Sequence, residues 1–400
     1  MLTDISILID RNSFESPEPQ CRVRFDVVGL ESHPRLKNWE RARILYEADP
    51  QVYDSGNMLL VVYRRNEAEP DAIENQVLDY VPPPDEFKQN ATLRALHKVF
   101  PDPSTFYPTL TRIVLETVNG KFTASVTEAV DEIIDYLPIP HHLSHIRTVP
   151  IVELRKVCDI ALDVDRVTLQ GESFAFKRTE SNIEGPLTEL TILDKLRDSP
   201  HIINIEAIVV NKDNKIRGFL MSYVYAGTLS DILARARQGV SEDRNELVLD
   251  WSIKLTWARQ ITQGVYDLHS ISSYNGDLKP NNILIGPDGQ AILIDFLPMG
   301  ISKDFAAPEL LEEWNDENSD AILESLFSGP ADMYSLGLIL YALAIENVSG
   351  VRTPVWSDGQ GSAPNWYRDL VESCLVLDPF ERPSAVDVLL ILNHSDSGII

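Results

Sequence analysis

Residues 273–296 read SYNGDLKPNNILIGPDGQAILIDF, and the fold follows from how this stretch is read. ILI at 283–285 and AILI at 291–294 are short apolar runs, and the intervening GPDGQ is made of turn residues. The pattern predicts a β-hairpin. Asn282 then stands just before one strand and Asp295 just after its partner, so the hairpin brings an amide oxygen and a carboxylate to one end. Oxygen donors so placed suit Mg²⁺, a hard cation that shares its shell with phosphate oxygens. Asp277 precedes Asn282 in the same loop, where a carboxylate near the cation could accept a proton from a hydroxyl.

On either side the pattern is of two kinds. Upstream, VTL at 167–169 and FAFK at 174–177 read as short strands. Helical periods follow: Trp257, Ile261, Val265 and Leu268 share one face. DMYSLGLILYALAI at 332–345 is apolar almost all round, as a buried helix would be. A strand-rich front and a helix-rich back predict two lobes.

These residues resemble the eukaryotic protein kinase superfamily, Ser/Thr type, over roughly 150–394. The family's catalytic loop, H-R-D-L-K-x-x-N, matches 275–282 at Asp277, Leu278, Lys279 and Asn282, and its D-F-G matches Asp295-Phe296-Leu297 in the first two places. AFK at 175–177 resembles the A-x-K strand. Ala307-Pro308-Glu309 matches A-P-E, 332–337 matches D-x-x-S-x-G, and Arg382 in ERPS matches the arginine that closes onto the A-P-E glutamate. These blocks, taken in family order, carry the resemblance. The G-D-L-K-P form also resembles kinase-like proteins of fungi.

The resemblance implies a bilobal α+β fold with a small β-rich N-lobe at 151–222 and a larger α-rich C-lobe at 226–394. It implies Mg²⁺ and ATP as cofactors and transfer of the γ-phosphate to Ser/Thr hydroxyls of a protein substrate. Asp277 is then the base, and Lys279 stands near the transferring phosphate. Asn282 and Asp295 are the metal ligands. Lys177 holds the α and β phosphates and pairs with Glu189. Val167, Ala175 and Leu284 sandwich adenine, and Met221, Tyr223 and Val224 belong to the segment between lobes that faces it. Glu309 with Arg382, and Asp332 bracing the catalytic loop, are structural.

The chain departs from the family in places. VELRKVCDIALDVDRVTLQGES at 152–173 contains only Gly171, which belongs at a strand–strand turn, so the phosphate-facing turn falls near 161–165 without glycines. Asp163 and Asp165 there are expected to repel the phosphates. Asn275 and Gly276 replace His and Arg, which removes the family's receiver for a phosphorylated loop. Leu297 replaces the D-F-G glycine, and the segment from 295 to 309 offers one hydroxyl, Ser302. Two alternatives therefore stand beside an active kinase. One is a pseudokinase acting as a binding or scaffold module. The other is a small-molecule kinase, which the A-P-E, DMYSLG and ERPS blocks oppose.

Residues 1–140 carry no recognisable chemical motif and are expected to form an additional α+β domain, joined by a Pro- and His-containing linker at 141–150. Alternation of Cys21, Val23, Phe25 and Val27 predicts a strand, and MLLVVY at 58–63 a buried one. Asn119-Gly120 predicts a hairpin turn. Leu93, Leu96, Val99 and Phe100 predict one helical face, and Val130, Ile133, Ile134 and Leu137 another. His141, His142 and His145 read as solvated linker residues, and EEWNDENSDAILE at 312–324 as an acidic insertion.

The chain has 400 residues, with 35 Lys plus Arg against 61 Asp plus Glu, a net charge of −26. Such a surface repels nucleic acid and anionic lipid, so neither is an expected partner. Cys21, Cys158 and Cys374 are too scattered for a disulfide framework or zinc site. The N-terminus lacks a basic signal-peptide flank, and no apolar run has membrane length. The expected compartment is cytoplasmic, with the nucleus as the alternative.

Overall fold

The computed structural model describes residues 25–32, 38–46, 57–83, 88–161, 163–179, 184–238, 249–296, 301–314, 327–356 and 363–394. Cys21 and Val23, Leu297 and the acidic stretch 315–324 lie outside the described residues. The chain forms two compact units. One takes the described residues up to 187 together with 205–223, and the other takes 188–204 and those from 224 onward. The fold is mixed α+β.

The first unit contains two sheets. In the first sheet, β1 (Phe25–Ser32), β2 (Trp39–Tyr46), β3 (Asn57–Arg64), β4 (Thr111–Val118) and β5 (Lys121–Glu128) lie in sequence order. All neighbours are antiparallel except β3 and β4. A parallel pair needs a crossover, and α1 (Ile73–Leu78) and α2 (Gln89–Lys98) supply it. Ile44, Leu59, Val61, Ile113 and Leu115 point to one face, where Leu96 of α2 completes a core. The run at 58–63 is the buried strand expected, and Leu93, Val99 and Phe100 pack on the same core. Asn119 (φ 51°) and Gly120 (φ 72°) both take the left-handed turn conformation of a two-residue hairpin.

The helix expected over 130–137 does not form. Val130–Glu132 is one 3-10 turn, and Val130 and Ile133 are 60% and 48% exposed. Ion pairs and proline explain the difference. The Glu132 carboxylate holds Arg41 at 2.9 Å, and its carbonyl accepts Arg43 Nη1 at 2.9 Å. Beyond it the chain runs extended toward Pro138 and Pro140, and Leu137 O accepts Ile216 N–H at 2.8 Å.

The second sheet has the order β6-β10-β11-β9-β8-β7. Its strands are β6 (Thr148–Pro150), β7 (Arg155–Ala161), β8 (Val164–Leu169), β9 (Glu172–Arg178), β10 (Ile205–Val210) and β11 (Ile216–Ser222). Gln170 and Gly171 make the β8–β9 turn as expected, both at positive φ. Val149, Leu154, Val167, Phe176 and Leu220 form its core.

The helical unit carries the C-terminal part of α3 (Glu184–Lys195), α4 (Leu229–Gln238), α5 (Trp251–Ser270) and the ribbon β12 (Ile283–Ile285) and β13 (Ala291–Leu293). After the ribbon come α6 (Pro308–Trp314), α7 (Gly329–Ile345), α8 (Asn365–Cys374) and α9 (Ala385–His394). The expected face of α5 is buried: Trp257 is 3% exposed, and Ile261, Val265 and Leu268 are fully covered. Every residue of α7 from Ala331 to Leu343 is buried, as its all-round apolarity requires.

Candidate active site

α5 ends at Ser270, and the loop after it returns along the first turn of α7. Asp332, 1% exposed, sits in that turn. Its Oδ2 accepts Asn275 N–H at 2.8 Å and lies 2.9 Å from His269 Nε2, and its Oδ1 accepts Gly276 N–H at 2.9 Å. One buried carboxylate thus fixes the backbone of residues 275 and 276. Gly276 is at φ 73°, and a Cβ there would meet the Phe327 ring at 2.6 Å. An arginine would therefore be strained and would collide with that ring.

Beyond this anchor the loop presents Asp277. Its Oδ1 accepts Ser302 N–H at 2.7 Å, and its Oδ2 pairs with Lys279. Lys279 Nζ also donates to Ser302 Oγ at 2.8 Å. A 3-10 turn at Pro280–Asn282 then leads into β12. Asn282 donates from Nδ2 to Asp277 O at 3.1 Å, and its Oδ1 takes no hydrogen bond among the described residues. Ile283 pairs with Leu293, and Ile294 N–H reaches Asn282 O at 2.9 Å, so Asn282 and the residue after Ile294 share one end of the ribbon. That residue is Asp295, held at φ 61°, a conformation that costs a non-glycine residue about 1–2 kcal/mol. Its carbonyl accepts Asn275 Nδ2 at 3.1 Å. The next amide, Phe296 N–H, donates to Glu189 Oε1 at 3.2 Å, with Glu189 only 1% exposed.

The helical unit thus brings together Asp277, Lys279, Asn282, Asp295 and Glu189. Leu284 of β12 bridges to Thr228, four residues after Val224. The donor set fits Mg²⁺. It is one amide oxygen and one carboxylate, the oxygen donors that a hard cation takes. A cation held by two protein oxygens keeps positions for phosphate and water.

In the second sheet Lys177 is 8% exposed. Directly paired residues share a face, and Lys177 pairs with Val164 on one side and Phe219 on the other. Ala175, two residues back, pairs with Arg166 and with Met221. The Arg166 guanidinium lies 4.8 Å from the centre of the Tyr223 ring. Ala175, Lys177 and Met221 are therefore on one face, with Val164 and Arg166 beside them.

Two expectations fail by strand parity. Val167 pairs with Phe174 on the opposite face and is fully buried in the sheet core, so it does not cover adenine. Asp165 also points to that opposite face. It is fully buried against Arg178 at 3.0 Å and Lys156 at 3.2 Å, so its charge is not aimed at phosphate. Val164 and Arg166 occupy the Lys177 face instead. Counting back from the turn at Gln170 and Gly171 supplies that parity. Ala161 pairs with Val164 across the two strands, and Arg178 N–H of β9 bonds Asp163 O at 2.8 Å.

At the far end of the helical unit Arg382 grips Glu309 with two nitrogens, at 2.6 and 2.9 Å, and also bonds the carbonyls of Pro330, Val376 and Leu377. This is the structural pair expected.

A sequence model described as protein kinase domain matches residues 167–394, beginning after the β7–β8 turn. A probable serine/threonine-protein kinase of Dictyostelium discoideum is 25% identical over 221 residues, which cover 52% of this chain and 50% of that protein. The serine/threonine-protein kinase RAD53 of Saccharomyces cerevisiae is 25% identical over 274 residues, 58% of this chain and 30% of that protein. The chain thus spans half or less of the length of these relatives.

Proposed function

Because this chain belongs to the protein kinase domain family, we propose that it is an ATP-dependent protein kinase that transfers the γ-phosphate of Mg-ATP to Ser or Thr hydroxyls. The observation that carries the reading is the cluster in the helical unit: Asp277 and Lys279 in contact, with Asn282 and Asp295 at one end of the ribbon. On this reading Asp277 accepts the proton of the acceptor hydroxyl as the hydroxyl oxygen bonds to the γ-phosphorus, and the bond from that phosphorus to the β,γ-bridging oxygen breaks to release ADP. Lys279 sits beside it and offsets negative charge on the phosphoryl group. Asn282 and Asp295 would hold Mg²⁺, which would supply charge neutralisation at the phosphate oxygens. Lys177 holds the α and β phosphates. Ala175, Met221, Tyr223, Val224 and Leu284 bound the adenine, with Val164 in the place first read for Val167.

Residues 1–140 are proposed as a separate domain with a binding role, and 151–394 as the kinase domain. A cytoplasmic setting fits a chain in which no helix among the described residues is long and apolar enough to cross a membrane. A second reading, a pseudokinase scaffold, is favoured by the β7–β8 turn, which has no glycine to bring backbone N–H groups close to phosphate. The Glu309–Arg382 pair supports a protein kinase over a small-molecule kinase.

The test uses labelled ATP, Mg²⁺ and generic protein acceptors, with wild type, Asp277→Asn and Lys177→Met compared. Incorporation that both variants lose supports the first reading. Thermal stabilisation by nucleotide without transfer supports the second.

A further inference from the structure

Asn275 stands where the family has histidine, and its side chain joins the two segments that carry the acidic groups. Nδ2 donates to Asp295 O at 3.1 Å, and Oδ1 accepts Asp277 N–H at 3.2 Å. The residue is 1% exposed, and its own N–H is held by Asp332. Both ends of one amide are therefore satisfied, one on each side of the site. We propose that Asn275 is a positioning residue that sets the distance between the Asp277 loop and the Asp295 turn. The proposal rests on the kinase reading for its functional consequence, but its structural half does not.

Two features make the amide consequential. Asp295 is at φ 61°, a conformation that must be enforced by its surroundings, and the bond from Asn275 to its carbonyl is one such constraint. At 276 the glycine has no side chain to add a second tie, and the Phe327 ring fills the space beside it. The neighbouring Asn282 bonds Asp277 O from the other side, so Asp277 has Asn275 on its amide and Asn282 on its carbonyl. An alanine at 275 would remove the bonds to the Asp295 carbonyl and the Asp277 amide, whereas a histidine can restore the bond to the carbonyl.

The experiment compares wild type, Asn275→Ala and Asn275→His in the full chain by three measurements. The first is amide hydrogen exchange without nucleotide, read in peptides covering 275–282 and 291–296. The second is the Mg²⁺ concentration needed for thermal stabilisation by an ATP analogue. The third is kcat against KM for a protein acceptor. Asn275→Ala is expected to raise exchange in both peptides and to shift the Mg²⁺ requirement upward. It should lower kcat by about tenfold or more at unchanged acceptor KM, the size of an unpaired buried polar group. Asn275→His should recover most of the loss. Unchanged exchange in Asn275→Ala, with kcat within twofold, overturns the proposal and leaves the kinase reading standing. If wild type transfers no phosphate, the kinase reading fails while exchange and Mg²⁺ dependence still decide the role of Asn275. Should Asn275→Ala not fold, failure of the folded Asn275→His variant to match wild-type exchange in the 291–296 peptide overturns it as well.

Discussion

The catalytic loop and the β7–β8 turn both depart from the family pattern, but only one has its departure made good. In the loop Asn275 supplies two hydrogen bonds across the site, and the space beside Gly276 is filled by Phe327. In the β7–β8 turn the family's glycines are replaced by residues that all carry side chains. Arg178 N–H of β9 bonds Asp163 O, which ties the turn to β9. A substitution is absorbed where the new side chain can re-form a bond between fixed neighbours. It is not absorbed where the lost property was the absence of a side chain.

This contrast can be broken most decisively at Asp277. Asp277→Asn keeps the shape but removes the proton acceptor, and phosphate transfer should fall by about 10²–10⁴-fold while nucleotide-induced thermal stabilisation persists. A turnover within tenfold of wild type would remove Asp277 from the chemistry. Next in size is Gly276→Arg, which restores the family's residue. It should destabilise by about 1–3 kcal/mol through positive-φ strain and the Phe327 collision, visible as a lower urea midpoint. A variant as stable as wild type would show that the loop yields easily.

A smaller effect sharpens the other side. Ala161→Gly with Asp163→Gly opens the β7–β8 turn, and ATP affinity by isothermal titration should rise about threefold, under 1 kcal/mol. No gain would mean that the missing glycines are not what limits binding. The smallest effect concerns pH in the first sheet. Burial raises the Glu74 pKa, but hydrogen bonds from the Thr117 hydroxyl and N–H outweigh it and leave the carboxyl below its usual range. Its stabilising contribution is present above the ordinary carboxylate range and is lost as pH falls through the lowered value. Glu74→Gln should flatten the acid limb of a melting-temperature profile, and a parallel limb would refute the assignment.

The sequence exposed the helical unit's site well because Asp277, Lys279, Asn282 and Asp295 lie within one stretch whose turns fix their neighbours. It exposed the sheet less well. Val167 and Asp165 fall on the face opposite Lys177, which the motif alone does not reveal, because strand parity depends on register and register hangs on a single turn. The period over 130–137 predicts a helix that does not form, because periodicity does not register that Glu132 is gripped from β2 and that prolines follow. Asn275 looked like a loss because a motif compares residue types, whereas its role is visible only through the partners at Asp277 and Asp295.

The strand β6 and the residues just before it have a practical consequence. Leu137 O bonds Ile216 N–H, Arg217 stacks 4.5 Å from the Tyr136 ring centre, and β6 runs parallel along β10. A fragment trimmed to begin at 151, where family boundaries would tempt one to cut, would strip the outer side of β10. The bared main-chain groups would then be open to other molecules, inviting aggregation. A fragment meant to keep this edge covered is best begun ahead of Asp135, whose carboxylate also meets Lys215 at 2.5 Å.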